Sequence, residues 1–558
     1  MKRKIMATLL ATALSVSAFA GCGSEKPVVS SETSNQAESV VESQQTEPSE
    51  EVKEPSKLTI WVPENLRIQD WKENAQTKWL EENGNLDLEF VVMSSADYET
   101  KVSVALTVGD IDDLPDVIIG SFNNNKVWEF AQAETILPLT DYYNDPALSP
   151  NIHKAYEATG TKYTDMIVSP DGNIYGVATF NQSYGNEYPH KLWIYKPWLD
   201  ALGEDLPTTT EELYDLFKKV KETDLNGNGK ADEIPMLGNT NRYAGYFQYL
   251  MNAFTYAGEG ASLMVEDGKI SAACVTEEWK KGLEYVEKLF DEGFILTESL
   301  TMDDEQAEVL NNGELPTVFS LVRTSASKSI YKDDFVGCDA LTGPDGVSYA
   351  SFSPSKPTVK MLVTANCEDP DAAFRLGDLL SSEEMSITSR YGQRGVHWDY
   401  AEDVKNASDY VAAQEGYDLS IILHDNDAFW GSQEVQTSSW LQTGPLVLSY
   451  GISNGRGVNA SDIDKFNAEV NACNYMYQNS GKRPDEVIAN LIFTTEETEV
   501  RADLDTAIKN YKNEFWAGVC SGNIDLEAEW DNYVAELNKI GLDTYLEITQ
   551  TVYDRMYK

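Results

Sequence analysis

The run Asp224-Leu-Asn226-Gly-Asn228-Gly229-Lys230-Ala-Asp232-Glu233 sets side-chain oxygens at loop positions 1, 3, 5 and 9, with a glycine at position 6. A hard divalent cation takes about six to eight oxygens at ~2.3–2.6 Å, and alternate side chains of a coiled loop converge to supply them. The seventh position, Lys230, offers its backbone carbonyl. This spacing predicts one structural Ca²⁺ clamped at the end of a helix. Position 12, where a helix–loop–helix calcium motif carries a bidentate Glu, is Pro235, so Glu233 is expected to complete the shell. With Pro235 there, no exit helix follows directly, which excludes a calcium sensor that works by opening a helix pair.

Other reactive patterns are weaker. The four His residues (His153, His190, His397, His424) form no H-E-x-x-H pair, and the six Cys show no C-x-x-C spacing, which argues against catalytic zinc, iron–sulfur and thioredoxin-like chemistry. Gly451-Ile-Ser453-Asn-Gly455 matches G-x-S-x-G, but every His precedes Ser453, the reverse of the order a nucleophile elbow requires, so a Gly-rich turn is expected there. No phosphate-binding or dinucleotide fingerprint is present. The 92 Asp and Glu exceed the 43 Lys and Arg to give a formal charge of -49, a field that repels phosphate backbones and excludes nucleic acid as a partner. Abundant carboxylates keep a secreted glycoside hydrolase or polysaccharide lyase as the competing class.

The N-terminus reads as an address. Lys2, Arg3 and Lys4 precede an uncharged stretch that ends Phe19-Ala20-Gly21-Cys22. That stretch is shorter than a bilayer span and resembles a bacterial lipobox, with Phe19 where Leu is usual; residues 1–21 would be removed and Cys22 lipidated. Residues 22–56, rich in Ser, Glu, Gln and Pro and without aromatics, are expected to be a disordered acidic tether.

From Lys57 the chemistry-bearing loops need positioning elements. KLTIWV, LDLEFVVM from Leu86 and DVIIGS from Asp116 read as strands separated by helices near 69–83 and 96–108, a β-α-β-α-β series that implies a mostly parallel sheet. Ligands bind beyond the carboxyl ends of such strands, which makes Asn65 and Ser121 candidate contacts. An Asp-Gly turn at Asp171 leads into another strand. Thr209-x-x-Glu212 is a capping box for a helix whose Leu213, Leu216, Phe217 and Val220 share one face.

The stretch Leu192–Met236 strings together LWIY, a Trp-Leu-x-x-Leu-Gly segment, Pro-Thr-Thr and the cation loop. So arranged, it resembles the family 1 extracellular solute-binding proteins of bacterial ABC importers, especially their large alginate-binding branch. Leu114-Pro115-Asp116-Val117, Asp171–Gly176 and the C-terminal Trp530-Asp-x-Tyr533 resemble family motifs too, while Pro197 departs from the Asp many relatives carry. The resemblance implies an α/β, periplasmic-binding-protein-like fold of type II: two α/β lobes, a hinge and a ligand cleft. Expected boundaries are 57–179 and 357–410 for the N-terminal lobe, and 180–356 and 411–558 for the C-terminal lobe. It further implies a monomeric, lipid-anchored receptor outside the membrane that captures a carbohydrate or oligosaccharide and passes it to ABC permease transmembrane subunits without catalysis. An adhesin or a ligand-presenting sensor subunit is the remaining alternative. Sugars need aromatic platforms and hydrogen-bonding rims. Gly392-x-Arg394-Gly395-x-x-Trp398 resembles the family's loop near the cleft, which makes Trp398 the first expected platform. Trp430 and Trp440 lie on no obvious apolar stripe and come next, followed by Arg394, Asn181, Asn65, Ser121 and Tyr243.

Overall fold

Alternating apolar residues in KLTIWV put Leu58, Ile60 and Val62 on one fully buried face of the first strand, β1 (Ser56–Pro63). The computed structural model describes residues 54–240, 245–256, 258, 262–322, 326–424, 433–461 and 463–558. β2 (Leu86–Met93) pairs with β1 in parallel along its length, and β3 (Val117–Phe122) runs parallel on the other side. The connecting helices are Ala75–Gly84 and Ser95–Val108. The first starts at Ala75 rather than near Gln69 because the Asp70 carboxylate accepts the backbone N–H of Lys72 and Glu73, holding a turn, and Asn74 then caps the helix through the Gln76 N–H. β4 (Val177–Asn181) follows the Asp-Gly turn.

A second sheet then forms from β5 (Leu192–Tyr195), β6 (Ile234–Leu237), β9 (Val318–Val322) and β10 (Phe335–Cys338), in the order β10-β5-β9-β6; the hairpin β7 (Leu263–Glu266) and β8 (Lys269–Ala272) stands apart. The capping box at Thr209 opens the helix Thr210–Glu222, which buries Leu213, Leu216, Phe217 and Val220. The chain returns to the first sheet with β11 (Thr358–Val363), antiparallel between β3 and β4. It next builds a small sheet from β12 (Trp398–Tyr400), β13 (Tyr410–Ala412) and β14 (Ile421–Leu423), sends β15 (Val447–Leu448) back beside β4, and adds β16 (Arg456–Asn459) to the small sheet. Three C-terminal helices, Thr495–Cys520, Leu526–Ile540 and Leu542–Tyr557, pack on the second sheet's core or beside it.

Two large apolar cores result, one per sheet. Membership changes from the first to the second between Phe180 and Tyr184, and back between Ala350 and Val359. Trp440, Leu441 and Val447 still pack in the first core, and Phe466 is the first buried residue of the final return to the second. β15 pairs with β4, so the chain touches the first sheet again as late as Leu448, while Tyr417 and Tyr450 already pack against the second core. Two α/β sheets, each with its own core and joined by several passages of chain, are what the expected two-lobed α/β fold requires. Among the described residues, no helix is long and apolar enough to cross a membrane.

Candidate functional site

The three passages between the cores are tied at one carboxylate. Glu187, between β4 and β5, accepts hydrogen bonds from the Ser355 hydroxyl (2.7 Å) on the second passage and from the Tyr450 hydroxyl (2.5 Å) on the third. Its carbonyl accepts the Ser353 N–H (2.8 Å). Tyr184 stacks on Tyr450 with ring centroids 4.4 Å apart and shares a 2.6 Å hydroxyl contact with Tyr417. Nearby, the buried Lys191 ammonium donates to the Tyr188 carbonyl (2.6 Å) and the Asn474 amide oxygen (2.7 Å). A hinge built this way is specific about how its strands meet, because the Glu187 carboxylate is matched to a hydroxyl on each of the other two passages. Burial pushes the Glu187 carboxyl above its ordinary range, although the Tyr450 and Ser355 hydrogen bonds pull the other way. An acid with a raised folded pKa is stabilising in its protonated form, and that contribution fades as pH rises from the ordinary glutamate value through the folded one. Glu187→Gln keeps an acceptor for Ser355 and Tyr450 but cannot ionise. Its stability relative to the parent should therefore climb with pH across that window and level off above it, as urea unfolding between pH 4 and 8 would show.

Beside this hinge runs a groove whose wall is one face of the helix Thr495–Cys520. Arg501, Asp505, Lys509, Lys512 and Trp516 recur at spacings of three and four, which places them on one stripe. Two cavities, of about 350 and 310 Å³, lie along that stripe, and Gly258 borders both. The first reaches the hinge passages at His190, Ser351 and Phe352; the second lies beyond the carboxyl end of β6 at Asn239 and Thr240. At the first, the Arg501 guanidinium lies over the rings of Phe493 and Tyr545, and Asp505 accepts from the Tyr545 hydroxyl (2.8 Å) and Lys509 (2.6 Å). At the second, half-buried Trp516 stacks on Phe247 at 4.3 Å and 20°, with Gln248, Ser262, Ser299 and Asn513 around it. The Lys512 ammonium donates to the Ser262 hydroxyl at 3.2 Å, and burial holds its pKa down at about 8.

The structure does not gather the tryptophans expected from sequence. Trp398 has no exposed surface: its indole N–H donates to the Gly392 carbonyl (2.8 Å) and its ring is enclosed by Ile387, Tyr391 and Ile421 in the small sheet's core. Trp440 is equally sealed, donating to the Thr77 hydroxyl (2.9 Å) and wedged between Trp71 and Phe90. Neither offers a ring face to a sugar; a large apolar ring gains more from full burial than from a half-open loop. Arg394 is engaged by Glu384 and Asp403 at 3.1 and 2.9 Å and lies over the Tyr400 ring. Asn181 stands at the first passage, where its amide oxygen accepts from Ser453 (3.5 Å) and its carbonyl from Ser355. Ser453 itself lies in a single helical turn, Tyr450–Asn454, rather than the expected Gly-rich turn. The Asn65 side chain caps its own loop through the Arg67 N–H. Ser121 is exposed, accepts from Lys360, and borders a separate cavity of about 250 Å³ beyond β1 and β3 with Pro63 and Glu99. Trp430, Tyr243 and Cys22 lie outside the described residues.

In the oxygen-rich loop, Asp224 accepts the backbone N–H of Gly227, Asn228 and Gly229, and Asn226 accepts that of Asn228. Gly227 and Gly229 sit at φ of +75° and +88°, which only glycine adopts without strain. Glu233 is fully buried; Oε1 accepts the N–H of Leu225 (2.6 Å) and Asn226 (2.9 Å), whereas Oε2 has no hydrogen-bond partner. A buried carboxylate oxygen without a donor is costly unless a cation meets it, so the residues fit a hard metal. No cluster of three His, Cys, Asp or Glu side chains arranged for a metal exists among the described residues; two members of this donor set, Asn226 and Asn228, are amides. The strand β6 follows at Ile234, so no exit helix is present.

Residues 66–387 match the family described as bacterial extracellular solute-binding proteins. The chain is 26% identical over 569 residues, 98% of its length and 97% of the other's, to the fructooligosaccharide ABC transporter substrate-binding protein FusA of Streptococcus pneumoniae. Among solved structures it resembles an HMO-binding, ABC-transporter-associated solute-binding protein of Bifidobacterium longum infantis (TM-score 0.73, 21% identity, 91% of this chain and 100% of that one). It also resembles the S. pneumoniae FusA EF-hand mutant in complex with fructo-nystose (TM-score 0.66, 21% identity, 90% of this chain and 99% of that one).

Proposed function

The chain belongs to the bacterial extracellular solute-binding protein family, and from that premise we propose that it captures an oligosaccharide in the groove along the Thr495–Cys520 helix and delivers it to an ABC permease. The observation that carries this reading is the stripe from Arg501 to Trp516, fifteen residues apart and therefore about 22 Å of helix at 1.5 Å per residue, which is longer than one sugar ring. Trp516 on Phe247 provides an aromatic platform, and the surrounding amides and hydroxyls provide the mixed donors and acceptors that sugar hydroxyls need. A groove that begins at the hinge is also one that hinge closure shuts, which couples ligand contact to the closed form.

Capture without turnover fits the state of the groove's carboxylates. Glycoside hydrolysis needs one carboxyl free to give a proton and another free to attack or activate water. Asp505 is engaged by Tyr545 and Lys509, and Glu486 accepts the Gly268 N–H (3.1 Å). The names of the FusA relatives, which include an EF-hand and a fructooligosaccharide, support one structural Ca²⁺ held by Asp224, Asn226, Asn228, the Lys230 carbonyl, Asp232 and Glu233, and support a glycan ligand. The receptor is read as a monomer anchored through lipidated Cys22 on the outer face of the membrane, with residues 23–56 as its tether. Of the residues proposed from sequence for the ligand, Ser121 and Asn181 remain contacts on the opposite wall, and Asn65, Tyr243 and Trp430 remain rim candidates.

Trp516→Ala tests the site. Truncating a central aromatic anchor costs at least about 2 kcal/mol, or roughly 30-fold in affinity. Calorimetry with neutral fructo-, gluco- and galacto-oligosaccharides should find saturable binding to the parent, that loss in the variant, and no product in either; affinity unchanged by Trp516→Ala, or a cleaved ligand, defeats the reading.

A further inference from the structure

A further cavity belongs to neither the groove nor the cation loop. It holds about 410 Å³ and lies among the first lobe's helices Ala75–Gly84, Pro150–Thr159 and Glu383–Tyr391, the end of β15 and the turn Tyr450–Asn454 that follows it. None of its lining residues also borders the groove or belongs to the second core. A ligand there would not be trapped by hinge closure.

Its walls carry a distinct chemistry. Half-buried Trp79, which packs against the first core, supplies an aromatic surface. Asn151 gives one amide N–H to Asp378 (2.7 Å), which leaves its second N–H and its carbonyl to offer. The hydroxyls of Thr159 and Ser381 donate to the helix carbonyls of Ala155 (2.7 Å) and Gly377 (2.8 Å), so each retains only oxygen lone pairs. Lys154 brings an ammonium donor to the exposed rim against Glu383, while Glu384 is already paired with Arg394 (3.1 Å), so neither sign of charge dominates. An aromatic wall, several acceptors, a donor and balanced charge suit a polyhydroxylated ring better than an anion or a cation, and the volume falls at the small end of ligand pockets, about 300–1,000 Å³.

We propose that this pocket is a second glycan site, outside the hinged groove, that holds a single hexose ring against Trp79. The site gives the receptor a foothold on a glycan chain that does not depend on lobe closure, and it goes beyond the groove reading without resting on it.

The test is ligand-observed saturation-transfer NMR on the whole mature protein with the methyl glycosides of glucose, galactose, mannose and fructose. Four proteins are compared: the parent, Trp516→Ala, Trp79→Ala and Ala158→Trp. Ala158 is an exposed residue on the cavity's rim, so a tryptophan there fills the mouth without disturbing a core. At least one glycoside should give a saturable signal that survives Trp516→Ala and is weakened tenfold or more by both Trp79→Ala and Ala158→Trp. The proposal is overturned if no glycoside signal survives Trp516→Ala, or if a surviving signal is indifferent to Ala158→Trp, which decides the matter should Trp79→Ala fail to fold. Failure of the groove reading looks different: it shows as oligosaccharide affinity unchanged by Trp516→Ala.

Discussion

Replacing Lys512 by methionine should raise the stability of the protein at neutral pH and weaken the proposed glycan capture at the same time. Lys512 lies on the groove helix with only 7% of its surface exposed, its ammonium 3.2 Å from the Ser262 hydroxyl and 5.9 Å over the Trp279 ring. Burial lowers its pKa from 10.5 to about 8, with proximity to Cys274 acting the other way. At about 1.4 kcal/mol per tenfold, holding a charged ammonium there at pH 7 withholds about 3 kcal/mol of stability. The sign follows from which state takes the proton first. As pH falls from 10.5 the unfolded chain protonates before the folded one, so the folded state loses ground until about pH 8 and stays at that deficit below it. Methionine matches the length of the lysine stem and carries no charge, and its main cost is the Ser262 hydroxyl left without its donor, about 1 kcal/mol. A net gain of about 2 kcal/mol at pH 7 that falls through zero near pH 10 and becomes a loss of up to about 1 kcal/mol above it is therefore expected in urea unfolding. A gain that does not shrink would mean that the ammonium is not the cause. Because the same ammonium borders the groove beside Trp516, affinity for the oligosaccharide should drop about tenfold or more, the loss of one charge-assisted hydrogen bond in a desolvated site.

That trade between stability and binding also explains why the site was harder to read than the fold. Patterning carries the fold because core positions repeat: the capping box at Thr209 and the stripe Leu213, Leu216, Phe217, Val220 are local, and the structure keeps both. The cation loop is equally local, six donors within ten residues. The groove is not. Its walls come from the hinge near His190 and Ser351, the strand end at Asn239 and a helix more than 250 residues later at Lys512 and Trp516. Trp398, expected from the resemblance of its loop to the family's, and Trp440, expected because it lies on no apolar stripe, are buried by partners distant in sequence, Ile421 for one and Trp71 for the other. Trp516 gave one usable signal: Arg501, Asp505, Lys509, Lys512 and Trp516 repeat at helical spacing, and a stripe of mixed charge ending in tryptophan is poor core material, so it has to face a solvated surface. The two-residue strand β15 is missed in the sequence for a related reason, since it is too short to announce itself by alternation.

Calcium removal should cost the parent protein stability that Glu233→Gln cannot recover when calcium is returned. The argument rests on the two oxygens of one fully buried side chain. Oε1 accepts the N–H of Leu225 and Asn226 and organises the start of the loop whether or not a cation is present; Oε2 meets no donor. Glu233→Ala would strip both backbone donors of their acceptor at about 1–3 kcal/mol each and so confuse loop folding with metal binding. Glutamine separates them. Its carbonyl can replace Oε1, while its amide nitrogen, in place of Oε2, presents hydrogens that repel a cation. In chelator the variant should melt within a degree or so of the parent, or above it, because a buried and half-unsatisfied carboxylate has been made neutral. Extracellular calcium modules bind at about 0.1–1 mM, so about 10 mM calcium can reach a hundredfold excess over Kd and add about 2.7 kcal/mol to the parent. Differential scanning calorimetry in chelator, in 10 mM calcium and in 10 mM magnesium should show that gain for the parent in calcium, little of it in magnesium, and almost none for Glu233→Gln in either. A parent that melts alike in chelator and calcium would remove the cation from the loop, and a Glu233→Gln protein that gains as much as the parent would remove Glu233 from the cation.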